Sequence, residues 1–139
     1  MADIVDTAMA AGKFRTLLNA LQAAGLVETL KGPGPFTVFA PDDEAFAKLP
    51  MGTLDNLMKD PMKLKSVLTY HVVPGKLMGG DVVDNKGAKT VQGQDVMFDA
   101  SKWHMHEKVK VNDAFITSAN IMADNGIIHV IDKVLMPMM

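Results

Sequence analysis

The sequence predicts one α+β domain in which helices come first along the chain and strands follow. Three observations predict this class. In the N-terminal half, apolar residues recur at the i, i+3, i+4, i+7 spacing of a helix face. From VVPG at residues 72–75 onward, short apolar or alternating segments are separated by Gly, Asn and Asp. Neither a linker nor a repeat interrupts the 139 residues, and we therefore assign residues 1–139 to a single domain.

The first predicted helix is FRTLLNALQAAGL, residues 14–26. Its apolar positions share one helix face, and they are Phe14, Leu17, Leu18 and Leu21. Gly25 follows as a natural stop, because glycine readily adopts the left-handed conformation that ends many helices. The second predicted helix is DDEAFAKL, residues 42–49, and Asp42 is placed to cap its free N–H groups.

The third predicted helix is DPMKLKSVLTYH, residues 60–71. Asp60 is the expected cap, and Pro61 suits the first turn because a missing N–H costs nothing there. The apolar face of this helix ends in a histidine, and its members are Leu64, Val67, Leu68 and His71.

Strands are predicted before and after this third helix. FTVFAP is a β-rich apolar run that Pro41 ends. The C-terminal half contains four further strand-like segments, at residues 90–98, 104–111, 114–122 and 127–135. DNG at 124–126 joins the last two as a hairpin, because Asn-Gly tolerates the positive φ angles of tight turns. We predict that 36–40 and 127–135 are buried strands, because both are apolar on both faces.

Composition and charge exclude several kinds of protein. Fourteen basic and sixteen acidic residues give a net charge of −2, and the scattered lysines form no stripe for nucleic acid. No apolar run approaches the length of a membrane-spanning helix. Because the chain has no cysteine, disulfides, thiolate metal sites and a Cys nucleophile are excluded. The twelve methionines are open to two interpretations, as flexible core filler or as thioether ligands for copper(I).

The sequence lacks the motifs of an enzyme. Its three serines are Ser66, Ser101 and Ser118, and none lies in a G-x-S-x-G turn. There is no H-E-x-x-H, no P-loop and no G-x-G-x-x-G. The acidic clusters PDDEAF and GGDVVDN are typical of caps and turns. We therefore predict a protein without a catalytic site.

Three segments together resemble the fasciclin-type domain: GPFTVFAPDDEAF (34–46), LTYHVVPG (68–75) and NGIIHVIDKVLMP (125–137). DIVDTA and TLLNALQAAGLVETLKGPGPF extend the resemblance to the N-terminus, and it is weakest between about 78 and 110. The chain is most similar to the small single-domain secreted bacterial members. The resemblance implies a wedge of two β-sheets with helices packed at one side.

The resemblance also implies a function in adhesion and interaction, with a protein or cell-surface partner and no required cofactor. In animal members the Tyr-His segment is associated with integrin binding. Carried over residue by residue, the partner-binding positions are Leu68, Tyr70, His71, Val72 and Val73. Some algal members bind carotenoids, which extends the implied ligands to apolar molecules. The sequence indicates no oligomeric state.

The N-terminus and the resemblance together predict export. MADIVDTAMA lacks the basic start and apolar block of a secretory signal, whereas ADIVDTA reads as the start of a mature protein. We therefore expect a periplasmic or extracellular location.

A structural interpretation competes with the binding role of the Tyr-His segment. His71 stands at a helix-to-strand junction among apolar residues, and His129 is flanked by Ile128 and Val130. Buried polar groups are normally hydrogen-bonded, and core histidines of this kind are common. The sequence therefore favours His71 and His129 as satisfied core groups.

SKWHMHEKVKV, residues 101–111, raises the possibility of a metal site. As one strand, residues 103–111 would place His104 and His106 on the same face, about 7 Å apart at their Cα atoms. Two imidazoles and a thioether from Met136, Met138 or Met139 would suit copper. A surface hairpin with its histidines in solvent explains the same residues. Two functions thus remain: an interaction module, or a carrier of a small ligand or copper on the same scaffold.

Overall fold

The computed structural model describes residues 3–32, 34–49, 52–77, 87–103, 106–112 and 114–135. At 99–103, 106–110 and 119–120 it describes the backbone alone. The helices are α1 Ile4–Ala11, α2 Arg15–Ala24, α3 Val27–Lys31, α4 Asp43–Ala47, α5 Thr53–Lys59 and α6 Pro61–Thr69. The strands are β1 Phe36–Pro41, β2 Val72–Pro74, β3 Gly87–Lys89, β4 Asp95–Trp103, β5 His106–Val111, β6 Ala114–Ala123 and β7 Gly126–Ile131.

Aspartate caps begin three of the helices. Asp42 accepts a hydrogen bond from the Ala45 N–H at 2.9 Å, and Asp60 accepts one from the Lys63 N–H at 3.2 Å. Asp3 caps α1 in the same way. Gly25 ends α2 in the left-handed conformation, at φ 72°. The predicted caps and the predicted stop are therefore confirmed.

The strands follow one another in the order β2-β1-β7-β6-β5-β4-β3. β1 and β7 lie side by side in parallel, and the other strand pairs are antiparallel. β6 is shared: its first residues pair with β5, and its remainder pairs with β7 across two register shifts between Ile116 and Ile121. Such irregularities bend a strand, and β6 is therefore the corner between two half-sheets. One half-sheet contains β2, β1 and β7, and the other contains β5, β4 and β3.

Two apolar clusters fill the molecule. The first lies between the helices and one face of β1 and β7, where Val38, Ala40, Ile128 and Val130 contact residues such as Leu17 and Leu64. The second lies between the half-sheets, and it joins Phe39, Val73 and Ile131 to Val96, Phe98 and Val111. The predicted α+β class, a wedge of two sheets with helices at one side, is confirmed.

β1 and β7 are buried on both faces, as their sequences predict. Alternate residues point into the two clusters, and Ile128 and Val130 are fully enclosed. The predicted strand 127–135 is nevertheless too long, because β7 ends at Ile131. Asp132 follows β7 and still bonds to β6: its N–H donates to the Phe115 carbonyl at 3.1 Å, and its carboxylate accepts the Phe115 N–H at 2.8 Å.

The predicted strand 90–98 is confirmed at 95–98, where β4 begins, and is wrong at 90–94, which form a turn. β3 ends at Lys89 and β4 begins at Asp95. The N–H and the hydroxyl of Thr90 both donate to the Gln94 carbonyl and close the turn, in which Gly93 adopts φ 111°.

Helix α5 was not predicted from the sequence. Its sequence TLDNLMK contains one buried residue, Leu57, and therefore shows no extended apolar pattern.

A backbone hydrogen bond links the two ends of the strand order. The Val91 N–H, just after β3, donates to the Val72 carbonyl of β2 at 2.8 Å. β2 and β3 are the first and last strands in the pairing order. This bond therefore joins the two edge strands and closes the open side of the wedge.

The predicted hairpin at 124–126 exists, but its physical reason is different. Neither Asn125 nor Gly126 adopts a positive φ. The Asn125 side chain instead accepts the Ile4 N–H at 2.9 Å and donates to the carbonyls of Leu30 and Gly32. A Cβ at Gly126 would collide with the Phe36 carbonyl oxygen. Asparagine serves here as a hydrogen-bonding link, and glycine as the residue that lets two backbones approach.

Candidate functional site

The Tyr-His segment lies at the junction of helix, sheet and C-terminal residues. Tyr70 ends α6, and Val72 and Val73 pair with Val38 and Thr37 of β1. The Phe39 N–H donates to the His71 carbonyl at 2.8 Å. All five residues predicted to bind a partner are buried, with at most 5% exposure each: Leu68, Tyr70, His71, Val72 and Val73.

The two ring nitrogens of His71 have different partners, and this fixes the tautomer. Nε2 lies 2.9 Å from the Leu135 backbone N–H, which can only donate, so Nε2 must accept. Nδ1 therefore carries the proton and donates to the Val67 carbonyl at 2.7 Å. Burial lowers the pKa of His71 from 6.5 to about 4, with the bond to Val67 acting in the opposite direction. The imidazole is neutral at pH 7.

Tyr70 connects α6 to the half-sheet that contains β4. Its hydroxyl donates to the Asp95 carbonyl at 2.8 Å and accepts from the Asn112 side-chain amide at 2.9 Å. Asn112 has φ 54°, and it exchanges hydrogen bonds with Met97 through its side-chain oxygen and its backbone N–H. Asparagine tolerates this conformation better than most residues.

His129 occupies the space between the half-sheets. Its Nε2 donates to the Leu77 carbonyl at 2.6 Å, and its ring stacks on Phe39 with centroids 5.7 Å apart. Burial lowers the pKa of His129, against the opposing effect of the bond to Leu77. The predictions that His71 and His129 are hydrogen-bonded core groups are confirmed.

The side chains of the Tyr-His segment form an internal junction. Hydrogen bonds of the Tyr70 and His71 side chains join α6, β4 and Leu135, and none of the five side chains faces solvent. Their role in partner binding stays a prediction.

The candidate copper site falls mostly outside the described residues. This holds for His104, Met136, Met138 and Met139, while His106 is described by its backbone alone. Trp103 ends β4 and pairs with His106 at the start of β5. The prediction of one strand over 103–111 is therefore wrong, because β4 and β5 are two antiparallel strands. This pairing agrees with the hairpin alternative, whereas the solvent exposure of its histidines stays a prediction. The copper ligands themselves stay a prediction.

Among the described residues, no group of three or more His, Cys, Asp or Glu side chains could hold a metal ion. None of the described helices has the length and apolar character needed to cross a membrane.

The surface has an open hollow between α1 and α2. It measures about 310 Å³, and its lining is mixed: Ala8, Met9, Gly12, Phe14, Arg15, Leu18, Asn19 and Gln22. Arg15, Asn19 and Gln22 recur at helical spacing along α2, and all three are exposed. Met9 approaches from α1 with 56% of its surface exposed. Arg15 is the one charged residue in this lining.

A smaller apolar cavity lies near the start of β1. It has a volume of about 60 Å³ and is lined by residues that include Leu26, Leu30, Phe36 and Val72. Ligand pockets usually measure about 300 Å³ or more. This cavity therefore gives no support to the predicted carrier of a larger apolar ligand.

Several residues of the junction were not predicted from the sequence. Thr37 is fully buried in β1; its hydroxyl donates to the Gly75 carbonyl and accepts the Leu77 N–H, both at 2.8 Å. Asn112 and Asn125 have comparable roles in linking distant segments. The signal available in the sequence was a polar residue inside or beside an apolar strand, which favours a buried hydrogen-bonded group.

Comparisons with known proteins agree with this geometry. A family model described as Fasciclin domain matches residues 12–137. The uncharacterized protein sll1735 of Synechocystis is 44% identical over 136 residues, covering 98% of each chain. Transforming growth factor-beta-induced protein ig-h3 of Sus scrofa is 38% identical over 137 residues, 99% of this chain and 20% of that protein. The structure of a FAS1 domain pair from the insect cell adhesion molecule fasciclin I superimposes on this chain with a TM-score of 0.77. The two sequences are 17% identical, and the superposition covers 98% of this chain and 51% of that chain.

Proposed function

The chain belongs to the fasciclin domain family, and we propose that it acts outside the cytoplasm as a non-catalytic protein-interaction module. The observation that carries this proposal is the family match over residues 12–137. Among proteins with this fold, fasciclin I is described as a cell adhesion molecule. The absence of enzyme motifs from the sequence also supports an interaction role.

The contact surface that we propose is the hollow between α1 and α2. Exposed Met9 and half-buried Leu18 give it an apolar part, and Arg15, Asn19 and Gln22 give it hydrogen-bond donors. Methionine and arginine are enriched at protein interfaces. The Tyr-His residues lie in the core and do not line this hollow.

The charge of the hollow determines the kind of partner. Arg15 is exposed at the start of α2, and Lys13 is exposed two residues before it. Both cations stand near the positive end of the helix dipole, where the Asp43 carboxylate accepts the Thr16 N–H at 2.8 Å. A protein segment that combines an acidic side chain with apolar ones would therefore fit this surface best.

Retention of the purified chain on cells of its own host tests the proposal. We expect the unmodified chain to be retained, and protease treatment of the cells to remove the retention. Arg15→Glu should weaken retention by about tenfold or more, because a charge reversal opposes the partner's acidic group. The matched control is Lys89→Glu, an exposed charge reversal on β3, which should bind as the unmodified chain does.

The outcomes separate the function from the surface. No retention of the unmodified chain would contradict the interaction module itself. Retention that Arg15→Glu and Lys89→Glu weaken equally would place the contact elsewhere on the molecule.

Fractionation of the host cells tests the proposed location outside the cytoplasm. Recovery of the native protein from the cytoplasm would contradict export.

A further inference from the structure

The methionines of the described residues all lie at the surface. The chain has twelve methionines, and five of them have described side chains. Their exposed fractions are 56% for Met9, 37% for Met58, 83% for Met62, 58% for Met97 and 48% for Met122. Within the same part of the chain, the two apolar clusters consist of Leu, Ile, Val, Phe, Ala and Tyr, without methionine.

This distribution is the opposite of the usual one. Methionine is among the residue types most often buried, and it normally fills irregular gaps in cores. The interpretation of the methionines as core filler is therefore wrong for these five. A thioether in water gains little from packing, so the exposed positions call for another explanation.

We propose that the five exposed methionines are sacrificial acceptors of hydroperoxides. This inference does not rest on the interaction module proposed above, although Met9 belongs to both. A thioether sulfur attacks one oxygen of the peroxide and the O–O bond breaks. Sulfur gains that oxygen and loses two electrons to become a sulfoxide, while the other oxygen leaves as water, or as an alcohol from an organic hydroperoxide. Methionine sulfoxide reductases restore the thioether.

The location of the five side chains makes this oxidation harmless to the fold. A sulfoxide is polar, and inside a core it would disrupt packing. At these positions 37–83% of each residue's surface is exposed, so water can reach the oxidised side chain. The chain also contains no cysteine, so no thiol competes for the oxidant or forms a disulfide.

The five acceptors cover different sides of the molecule. Met9 lies on α1, Met58 and Met62 lie on α5 and α6, and the other two lie on β4 and β6. Oxidant can therefore reach a thioether from the helical side and from the sheet side. A surface that reacts in this way protects the buried residues and any neighbouring protein.

Treatment of the intact chain with hydrogen peroxide tests the proposal. Peptide mapping by mass spectrometry assigns each sulfoxide, so that the other seven methionines are counted separately. We expect each of the five to react within about threefold of the rate of free methionine. The oxidised chain should melt within about 2 °C of the untreated chain, a shift that corresponds to less than 1 kcal/mol.

A variant with all five changed to leucine is the matched comparison, because leucine preserves volume and apolar character. An equimolar methionine-containing peptide should be oxidised more slowly beside the unmodified chain than beside this variant. Rates at the five positions more than about tenfold below that of free methionine would overturn the proposal. So would a melting temperature that falls in step with sulfoxide formation, or equal oxidation of the peptide beside both chains.

Discussion

At the scale of single residues, His71 shows how hydrogen bonding and burial fix a protonation state. Nε2 accepts the Leu135 N–H, and Nδ1 donates to the Val67 carbonyl. A second proton would place a donor against a donor at Nε2. The ring thus links the end of α6 to the C-terminal residues only while it is neutral.

We predict that His71→Ala lowers the free energy of unfolding by about 1–3 kcal/mol, because it leaves the Leu135 N–H buried without a partner. Urea denaturation of the two chains measures this change. Lys65→Ala, an exposed change on the same helix, is the control and should stay within about 0.5 kcal/mol of the unmodified chain. Full stability of His71→Ala together with loss of cell retention would instead indicate a direct binding role.

At the scale of secondary structure, the β6–β7 turn organises elements distant in sequence. Asn125 links the start of α1 to the end of α3, and its carbonyl accepts the Phe36 N–H of β1 at 3.1 Å. Gly126 pairs with Phe36 where the two strands begin side by side. The parallel pairing of β1 and β7 therefore depends on a turn that lets the backbones approach closely.

We predict that Gly126→Ala destabilises the chain by about 1–3 kcal/mol, because the new methyl group would collide with the Phe36 carbonyl and with Ile4. Thermal or urea unfolding measures the loss. Asp124→Ala, at the exposed position of the same turn, should change stability by less than about 0.5 kcal/mol. Equal stability of the two variants would contradict the close approach of the two strands.

At the scale of the whole molecule, two buried neutral histidines make the fold sensitive to acid. His71 lies against the helical cluster, and His129 lies between the half-sheets. Burial lowers the pKa of both, and that of His71 reaches about 4. The unfolded chain takes up protons near pH 6.5, so between these values it binds more protons than the folded chain.

We therefore predict that the free energy of unfolding falls as the pH falls from 6.5 toward 4, with a contribution from His71 on the order of 3 kcal/mol. His129 acts in the same direction. Urea denaturation at a series of pH values measures the slope. His71→Asn does not titrate in this range and should have a shallower slope than the unmodified chain. Identical slopes would show that His71 does not control the acid sensitivity.

The sequence predicted well what local chemistry decides. Asp42 and Asp60 cap helices because a carboxylate before a helix has free N–H groups to accept from. β1 and β7 read as buried strands because both of their faces are apolar. The positions at which strands reverse were harder to predict, since the turn at 90–94 and the change of direction between β4 and β5 interrupt patterns that alternate smoothly in the sequence.

The candidate site was less predictable for a related reason. A conspicuous pair such as Tyr70 and His71 has the same sequence whether it faces a partner or the core. The decisive contacts come from Asn112 and Leu135, which lie more than forty residues further along the chain. Sequence spacing does not reveal such long-range hydrogen bonds.

The closure of the wedge also limits how other chains can associate with it. β2 is three residues long, and its outward groups belong to Val72 and Pro74. The Val72 carbonyl is already taken by Val91, and proline has no N–H to offer. A foreign strand therefore finds no row of free backbone groups along β2 on which to extend the sheet. Extension of the sheet at this edge is therefore disfavoured, and copies of the protein can be crowded together without joining there strand to strand.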